Sequence, residues 1–246
     1  MIQNKDCLEY LKTLKGESVD LVLTDPPYFI GFDGGKGWDK QWKSEDEYLD
    51  WCKVWTEECA RVLKPERMMV IWGTLKTDTF LRHKLEILND IPDLYSQNEI
   101  IWSYNWGGRQ KKNFARKHEY AWCYSKGKEF LFNADDVRVE RKVKKNLRTG
   151  KELEKGTIPT CVWEKNNHTT SKEFCGWHPT TKNVELLERI IKAYTNPGDI
   201  VLDIFMGSGS TMIACNKTGR LGKGCEIDEE YYKKSLERIQ ELDKLK

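Results

Sequence analysis

The sequence predicts one α/β domain on a mostly parallel, doubly wound sheet, and three observations carry that expectation. Short apolar runs alternate with longer amphipathic stretches along the whole chain, the alternation that builds a sheet with helices on both faces. One apolar run, Val19 to Thr24, stops at Asp25-Pro26-Pro27-Tyr28, and another, Ile200 to Asp203, stops at a turn carrying Gly207 and Gly209. Both stops fall where a strand ends and the chain changes direction, the place where open α/β sheets hold ligands.

Taken in order, Val19-Asp-Leu-Val-Leu-Thr24 is nearly unbroken apolar sequence, as a strand buried on both faces requires. Ser44 and Glu47 stand at capping-box spacing ahead of a helix whose Tyr48, Cys52, Trp55, Cys59 and Val62 share one stripe. Lys64-Pro65 ends that helix. Met68 to Trp72 predicts the next buried strand, Phe80, Leu81, Leu85 and Leu88 a helix face, and Glu99 to Tyr104 another strand. Tyr120, Trp122 and Tyr124 alternate with smaller residues in a further strand, followed by one more over Phe130 to Phe132. After a lysine-rich interval, Leu187, Ile190, Ile191 and Tyr194 mark a helix, and Asn196-Pro197-Gly198-Asp199 a turn before the strand Ile200 to Asp203. A helix over 211–218, a strand around Gly222 to Ile227 and a charged helix from Glu229 complete the pattern. No internal repeat or low-complexity tract interrupts it, so residues 1–246 form one domain with an insertion inside it.

At 246 residues the chain can bury a full core without a second domain. With 41 Lys+Arg against 39 Asp+Glu, the net charge of +2 says little about partners until its distribution is considered. The eight cysteines include no CxxC pair and no secretory leader precedes them, so reduced thiols in a cytoplasm are expected. No apolar stretch reaches membrane-spanning length, and the mean hydropathy is -0.71. Cys161, His168, Cys175 and His178 lack the close pair of a structural zinc site, so no metal is expected.

The glycine turn lets backbone approach a ligand closely at a helix amino terminus. It matches neither G-x-G-x-x-G, because Met212 holds the third position, nor the phosphate-cradling G-x-x-x-x-G-K-[ST]. An adenosine carrying something other than pyrophosphate fits best, with Glu226 at the end of the next strand accepting from its ribose hydroxyls. Asp25-Pro26-Pro27-Tyr28 supplies a carboxylate, a proline carbonyl and an aromatic face on a backbone stiffened by two fixed φ angles. Those parts suit an exocyclic amine on a nucleobase. Asp25 and the Pro26 carbonyl would accept its two N–H groups, and Tyr28 would stack on the ring.

At these residues the chain resembles the amino-methyltransferases that act on DNA with S-adenosyl-L-methionine, of the permuted class in which the Asp-Pro-Pro-Tyr motif precedes the glycine motif. The resemblance covers most of the chain and implies a Rossmann-like methyltransferase fold. It implies catalytic roles for Asp25, Pro26, Pro27 and Tyr28. Asn4-Lys-Asp-Cys-Leu-Glu9 resembles the segment whose acid, here Asp6 beside Cys7, contacts the adenine of the cofactor. His178-Pro-Thr-Thr-Lys182 resembles the block that puts Thr180 and Lys182 near its methionine part. Asp203 to Thr211, including Phe205, Gly207, Ser208 and Gly209, resembles the cofactor loop, and Glu226-Ile227-Asp228 the ribose acid and its neighbours. Asp25 is implied to border the cofactor as well. Arg61 to Pro65, Lys117 to Lys126 and the dipeptide Trp38-Asp39 resemble further family blocks. Three departures concern backbone shape: Ile204 and Asn183 stand where the family commonly has proline, and Glu66-Arg67 where it has Gly-Gly.

The resemblance implies transfer to the N6 amino group of adenine, because aspartate opens the motif in adenine enzymes and serine usually does in cytosine-N4 enzymes. Cytosine N4 is the alternative. Ring-carbon methylation would need a thiol nucleophile after proline, and no Pro-Cys pair occurs. The adenine is expected to swing out of the duplex into the pocket, with single strands an open second substrate. Phosphate contacts are expected from Arg109, Lys111, Lys112, Arg116 and Lys117 in one loop, and from Arg138, Arg141, Lys142, Lys144, Lys145 and Arg148 in the insertion. Residues 133–176 hold the position of the family's target-recognition segment. Restriction-modification enzymes of bacteria and phages, some of them homodimers, share this pattern. A catalytically silent nucleic-acid-binding subunit and an RNA-directed enzyme of the same chemistry are the rivals.

Overall fold

The computed structural model describes residues 2–32, 34–105, 108, 110–141, 143, 145, 148–152, 155–164 and 175–243. The elements in chain order are β1 (Ile2–Asn4), α1 (Cys7–Lys12), β2 (Val19–Thr24), α2 (Glu45–Val62), β3 (Leu63–Gly73), α3 (Thr79–Arg82), β4 (Leu94–Ser103) and β5 (His118–Lys126). After the insertion begins come β6 (Val162–Glu164), α4 (Val184–Tyr194), β7 (Ile200–Asp203), α5 (Ser210–Thr218), β8 (Leu221–Glu226) and α6 (Glu229–Asp243). The strands make one sheet in the order β1-β8-β7-β2-β3-β5-β4-β6. Only the β3–β5 and β5–β4 pairs are antiparallel.

All six residues of β2 are buried, as its unbroken apolar pattern requires. Its period of two divides the core: Leu21 and Leu23 pack with Ile190, Ile191 and Ile213 on one face, and Val22 packs with Leu11, Cys52 and Trp55 on the other. Being central, β2 pairs with β7 at Val22↔Leu202 and with β3 at Thr24↔Ile71. The two motif-bearing strand ends are therefore neighbours. The α2 stripe is buried throughout, and Ser44 accepts the Glu47 N–H at 3.1 Å while the Glu47 carboxylate takes the Lys43 N–H at 2.7 Å. Pro65 lies in the first, more exposed part of β3, before its buried run Met68 to Gly73.

Several expectations need correcting. Of the face Phe80, Leu81, Leu85 and Leu88, only Phe80 and Leu88 are buried, together with His83 and Ile87. A π turn over His83–Ile87 is the cause, because its wider winding rotates the inward face away from Leu85. Phe130 to Phe132 form no strand; Phe130 and Phe132 pack against Tyr194, with centroids 6.4 and 5.7 Å away. Three-residue strands β1 and β6 are too short to show a period. The family departures find local substitutes: Asn183 caps α4 by accepting the Leu186 N–H at 3.3 Å, Ile204 is core, and Glu66 itself adopts φ 60°.

The insertion is not wholly separate from the domain. Val137 and Trp163 lie in the main core, and β6 extends the sheet beside β4 at Ile101↔Val162. All eight cysteines are free thiols, and no helix among the described residues is long and apolar enough to cross a membrane.

Candidate active site

A cavity of about 700 Å³ opens at the carboxyl ends of β2, β7 and β8, and both sequence runs line it. Thr24 donates to Asp203 Oδ1 at 2.9 Å, joining the ends of β2 and β7 across residues 179 positions apart.

On one wall, the Tyr28 hydroxyl donates to Asp25 Oδ1 in a short hydrogen bond. Lys182 Nζ lies 2.6 Å from Asp25 Oδ2, 2.9 Å from Glu119 Oε2 and 3.1 Å from the Tyr28 hydroxyl. Burial alone would discharge Lys182, but Asp25 and Glu119 outweigh it and hold the ammonium above the ordinary lysine range. Burial and then the two carboxylates push the Tyr28 phenol well above its usual value, so it stays a donor. A carboxylate offers about four lone-pair sites, so Asp25 retains room for another donor. The Pro27 carbonyl is taken by the Tyr48 hydroxyl at 2.6 Å, whereas no donor among the described residues reaches the Pro26 carbonyl. The wall thus presents Asp25 and Pro26 with acceptor capacity to spare, next to the Tyr28 ring.

On the facing wall, Gly207 and Gly209 take φ of 49° and 77°. A Cβ on Gly207 would lie 2.7 Å from His178 Nε2, so the turn is packed as closely as glycine allows. Burial, then Lys182 and Arg238, lower His178 to about 4, leaving a neutral ring against the turn. Arg238 braces the turn from behind, donating to Ser208 O at 2.8 Å and Ser210 Oγ at 3.0 Å. Asp203 accepts from Thr211 Oγ1 at 2.6 Å and from Phe205 N at 3.1 Å, and burial still pushes its carboxyl up to about 6. Glu226 Oε2 accepts the Gly207 N–H at 2.8 Å and Oε1 the Asp228 N–H at 2.9 Å, with burial raising its pKa.

Of the other expected cofactor residues, Asp6, Cys7, Thr180, Phe205, Ser208, Thr211 and Ile227 also line the cavity. Asp6 caps α1 through Leu8 N at 2.9 Å. Gly209 and Asp228 do not line it: Gly209 packs towards Ile239 at the start of α5, and Asp228 caps α6 through Tyr231 N at 2.9 Å. Asp39 is nearly inaccessible and accepts the N–H groups of Phe29, Ile30 and Phe32 at 2.7, 2.8 and 3.1 Å. It pins the loop after Tyr28 over the cavity.

The expected phosphate contacts divide. Arg116 and Lys117 line the cavity mouth, and Lys111 and Lys112 are exposed beside them. In the insertion, Arg138 pairs with Asp135 at 2.6 Å, Arg141 donates to Lys155 O at 2.6 Å, and Lys145 lies 4.0 Å from Glu152. Those three have partners inside the same segment. Arg109, Lys142 and Lys144 lie outside the described residues, as does His168. Glu119 is the residue sequence reasoning left without a role. Its signal was topological: β5 runs antiparallel, so it begins where β3 ends, and Tyr120 pairs with Gly73.

The chain's own residues fit an adenosine-bearing methyl donor. Ile204, Phe205 and Trp51 give the cavity apolar lining, and the buried Glu226 carboxylate gives it an acceptor, the combination that a flat base and ribose hydroxyls need. A family model described as DNA methylase matches residues 19–237. The type II methyltransferase M.HpaI of Haemophilus parainfluenzae is 34% identical over 95% of this chain and 72% of its own length. The DNA adenine methyltransferase YhdJ of Escherichia coli is 36% identical over 95% of this chain and 80% of its own. Among solved structures, the M1.HpyAVI–SAM complex superposes with TM-score 0.64 at 28% identity, covering 97% of this chain and 98% of that one. PvuII DNA methyltransferase, described as cytosine-N4-specific, reaches TM-score 0.76 at 20% identity, covering 98% and 90%, a likeness of fold.

Proposed function

The chain belongs to the DNA methylase family of N6- and N4-directed, S-adenosylmethionine-dependent amino-methyltransferases, and from that premise we propose that it methylates the N6 amino group of adenine in DNA. The observation that carries the proposal is the meeting of the Asp25–Tyr28 grip and the Gly207–Glu226 wall across one cavity. Aspartate at the head of the grip favours adenine, and so does the 36% identity to a relative named for adenine methylation.

S-adenosylmethionine supplies an electrophilic methyl group on a sulfonium sulfur. Glu226 would hold its ribose hydroxyls, and the turn at Gly207 would border it. Asp25 and the Pro26 carbonyl accept the two N–H groups of the adenine amine, drawing its lone pair out of ring conjugation. Tyr28 orients the ring. Lys182 and Glu119 fix Asp25 through the contacts at 2.6 and 2.9 Å, and are positioning residues. These contacts support a role for Lys182 on the amine side of the cavity. Positive charge developing on the amino nitrogen meets two carboxylates against one ammonium, a preorganised field that favours transfer. The acidic product ammonium then loses its proton to Asp25 or water. Direct transfer requires no covalent nucleophile, and burial raises the thiol of Cys7, which lines the cavity, above its usual range.

Extrusion of the adenine from the duplex is part of the proposal, since a stacked amine cannot enter a cavity. Residues 133–176 are proposed to read the target sequence. The test is labelled-methyl transfer to unmodified DNA followed by digestion to nucleosides. Label in N6-methyladenine is expected. Label in N4-methylcytosine would transfer the proposal to the cytosine amine, and no incorporation into DNA would leave the silent-subunit rival standing.

A further inference from the structure

The loop joining β4 to β5 leaves the sheet at the cavity mouth. Its ends are tied where Tyr104 N donates to Lys117 O at 2.9 Å, just beyond the last β4–β5 pair, Ser103↔His118. Within it, Phe114 is 94% exposed, more than any other large hydrophobic side chain described. The ring stands in water at a hydrophobic cost. The Phe114 N–H is taken by Asn113 Oδ1 at 2.8 Å. Lys111, Lys112 and Arg116 are exposed around it, and residues 110–117 contain no acid. An aromatic face ringed by cations suits a partner that combines phosphates with stackable bases.

We propose that Phe114 enters the base stack of duplex DNA and fills the gap left when the target adenine is drawn into the cavity. The inference rests on the base-extrusion step of the proposed function. Removing a base leaves its neighbours unstacked, and an inserted apolar side chain restores part of that contact. A phenyl ring flanked by phosphate-binding lysines and arginines can be held at the right depth, while Arg116 and Lys117 tie the same loop to the cavity mouth. Because the Phe114 side chain is almost wholly exposed, its removal should leave the protein folded.

The experiment uses the whole chain and a duplex carrying the target sequence obtained by mapping modified bases, with 2-aminopurine replacing the target adenine. Fluorescence is read at saturating protein, with binding followed separately by anisotropy. Wild type should give a large rise on binding. Phe114→Ala should bind with an unchanged salt dependence but lose at least about fivefold of that rise, and lose methyl transfer in proportion on the unsubstituted duplex. Phe114→Trp should keep both. A wild-type rise and turnover in Phe114→Ala would overturn the inference. Absence of any rise in wild type, with methyl transfer intact, would instead defeat the extrusion step on which it rests.

Discussion

Replacing Asp25 by alanine removes the acceptor proposed for the target amine and one of the two carboxylates on Lys182. Glu119 remains 2.9 Å from the lysine, so the buried ammonium keeps one partner. The stability loss should therefore be about 1–2 kcal/mol, below that of stripping a buried charge of all its partners. Catalysis should suffer more. Losing one preorganised hydrogen-bond partner of a developing charge costs about 10²–10³-fold in kcat, or roughly 3–4 kcal/mol. Donor affinity should change by no more than about twofold, because Glu226 and the glycine turn form a separate wall. Single-turnover methyl transfer measures the first effect, titration calorimetry with S-adenosylmethionine the second, and a thermal melt the stability term. Asp25→Asn, which keeps an acceptor oxygen towards Lys182, should fall between wild type and alanine. Turnover in Asp25→Ala within threefold of wild type would refute the assignment. Lost donor binding with an unchanged melt would mean that Asp25 serves the donor instead.

Glu226→Gln exchanges one acceptor oxygen for a donor that faces the Gly207 or Asp228 N–H. Steady-state kinetics should show the donor KM raised about 10- to 100-fold with kcat little altered, the signature of lost ground-state binding. Gly207→Ala places a methyl group 2.7 Å from His178 Nε2 at a backbone φ of 49°, and donor affinity by calorimetry should weaken at least about tenfold; an unaltered affinity would mean that the turn has slack. Acid should destabilise the fold through His83, which burial holds down to about 3 beside Thr56 Oγ1 at 2.9 Å. Its unfolded form binds a proton near pH 6.5 and its folded form does not, so stability is full above that pH and falls as pH drops towards 3. The loss from this group is about 2 kcal/mol at pH 5, partly offset by Asp203, whose raised pKa has the opposite sign between about 4 and 6. Denaturant melts from pH 7 to 5 should show the decline, and His83→Gln should flatten it.

The strand ends carrying Asp25, Asp203 and Glu226 were legible because each rests on a local pattern: an apolar run, then residues that change chain direction. Their convergence was implied by the resemblance to the permuted amino-methyltransferases, since alternation by itself does not say that β2 and β7 are neighbours. The contact of Lys182 with both Asp25 and Glu119 was not legible, since it depends on β5 pairing antiparallel to β3. The Leu81–Leu85 face failed because a single π turn alters the period that the expectation assumed. Ion pairing in the insertion was not legible either: Arg138 lies 2.6 Å from Asp135 and Lys145 4.0 Å from Glu152, partners that a count of basic residues does not reveal. Glu66 shows that a glycine-like backbone can persist without glycine, at a cost that flanking structure absorbs.

The most direct measurement is a crystal structure of the protein with S-adenosylmethionine bound. The ribose hydroxyls should meet Glu226, and the sulfonium methyl should point across the cavity towards Asp25 and the Tyr28 ring. A donor seated outside this cavity, or one whose methyl group faces away from Asp25, would contradict the mechanism at its root.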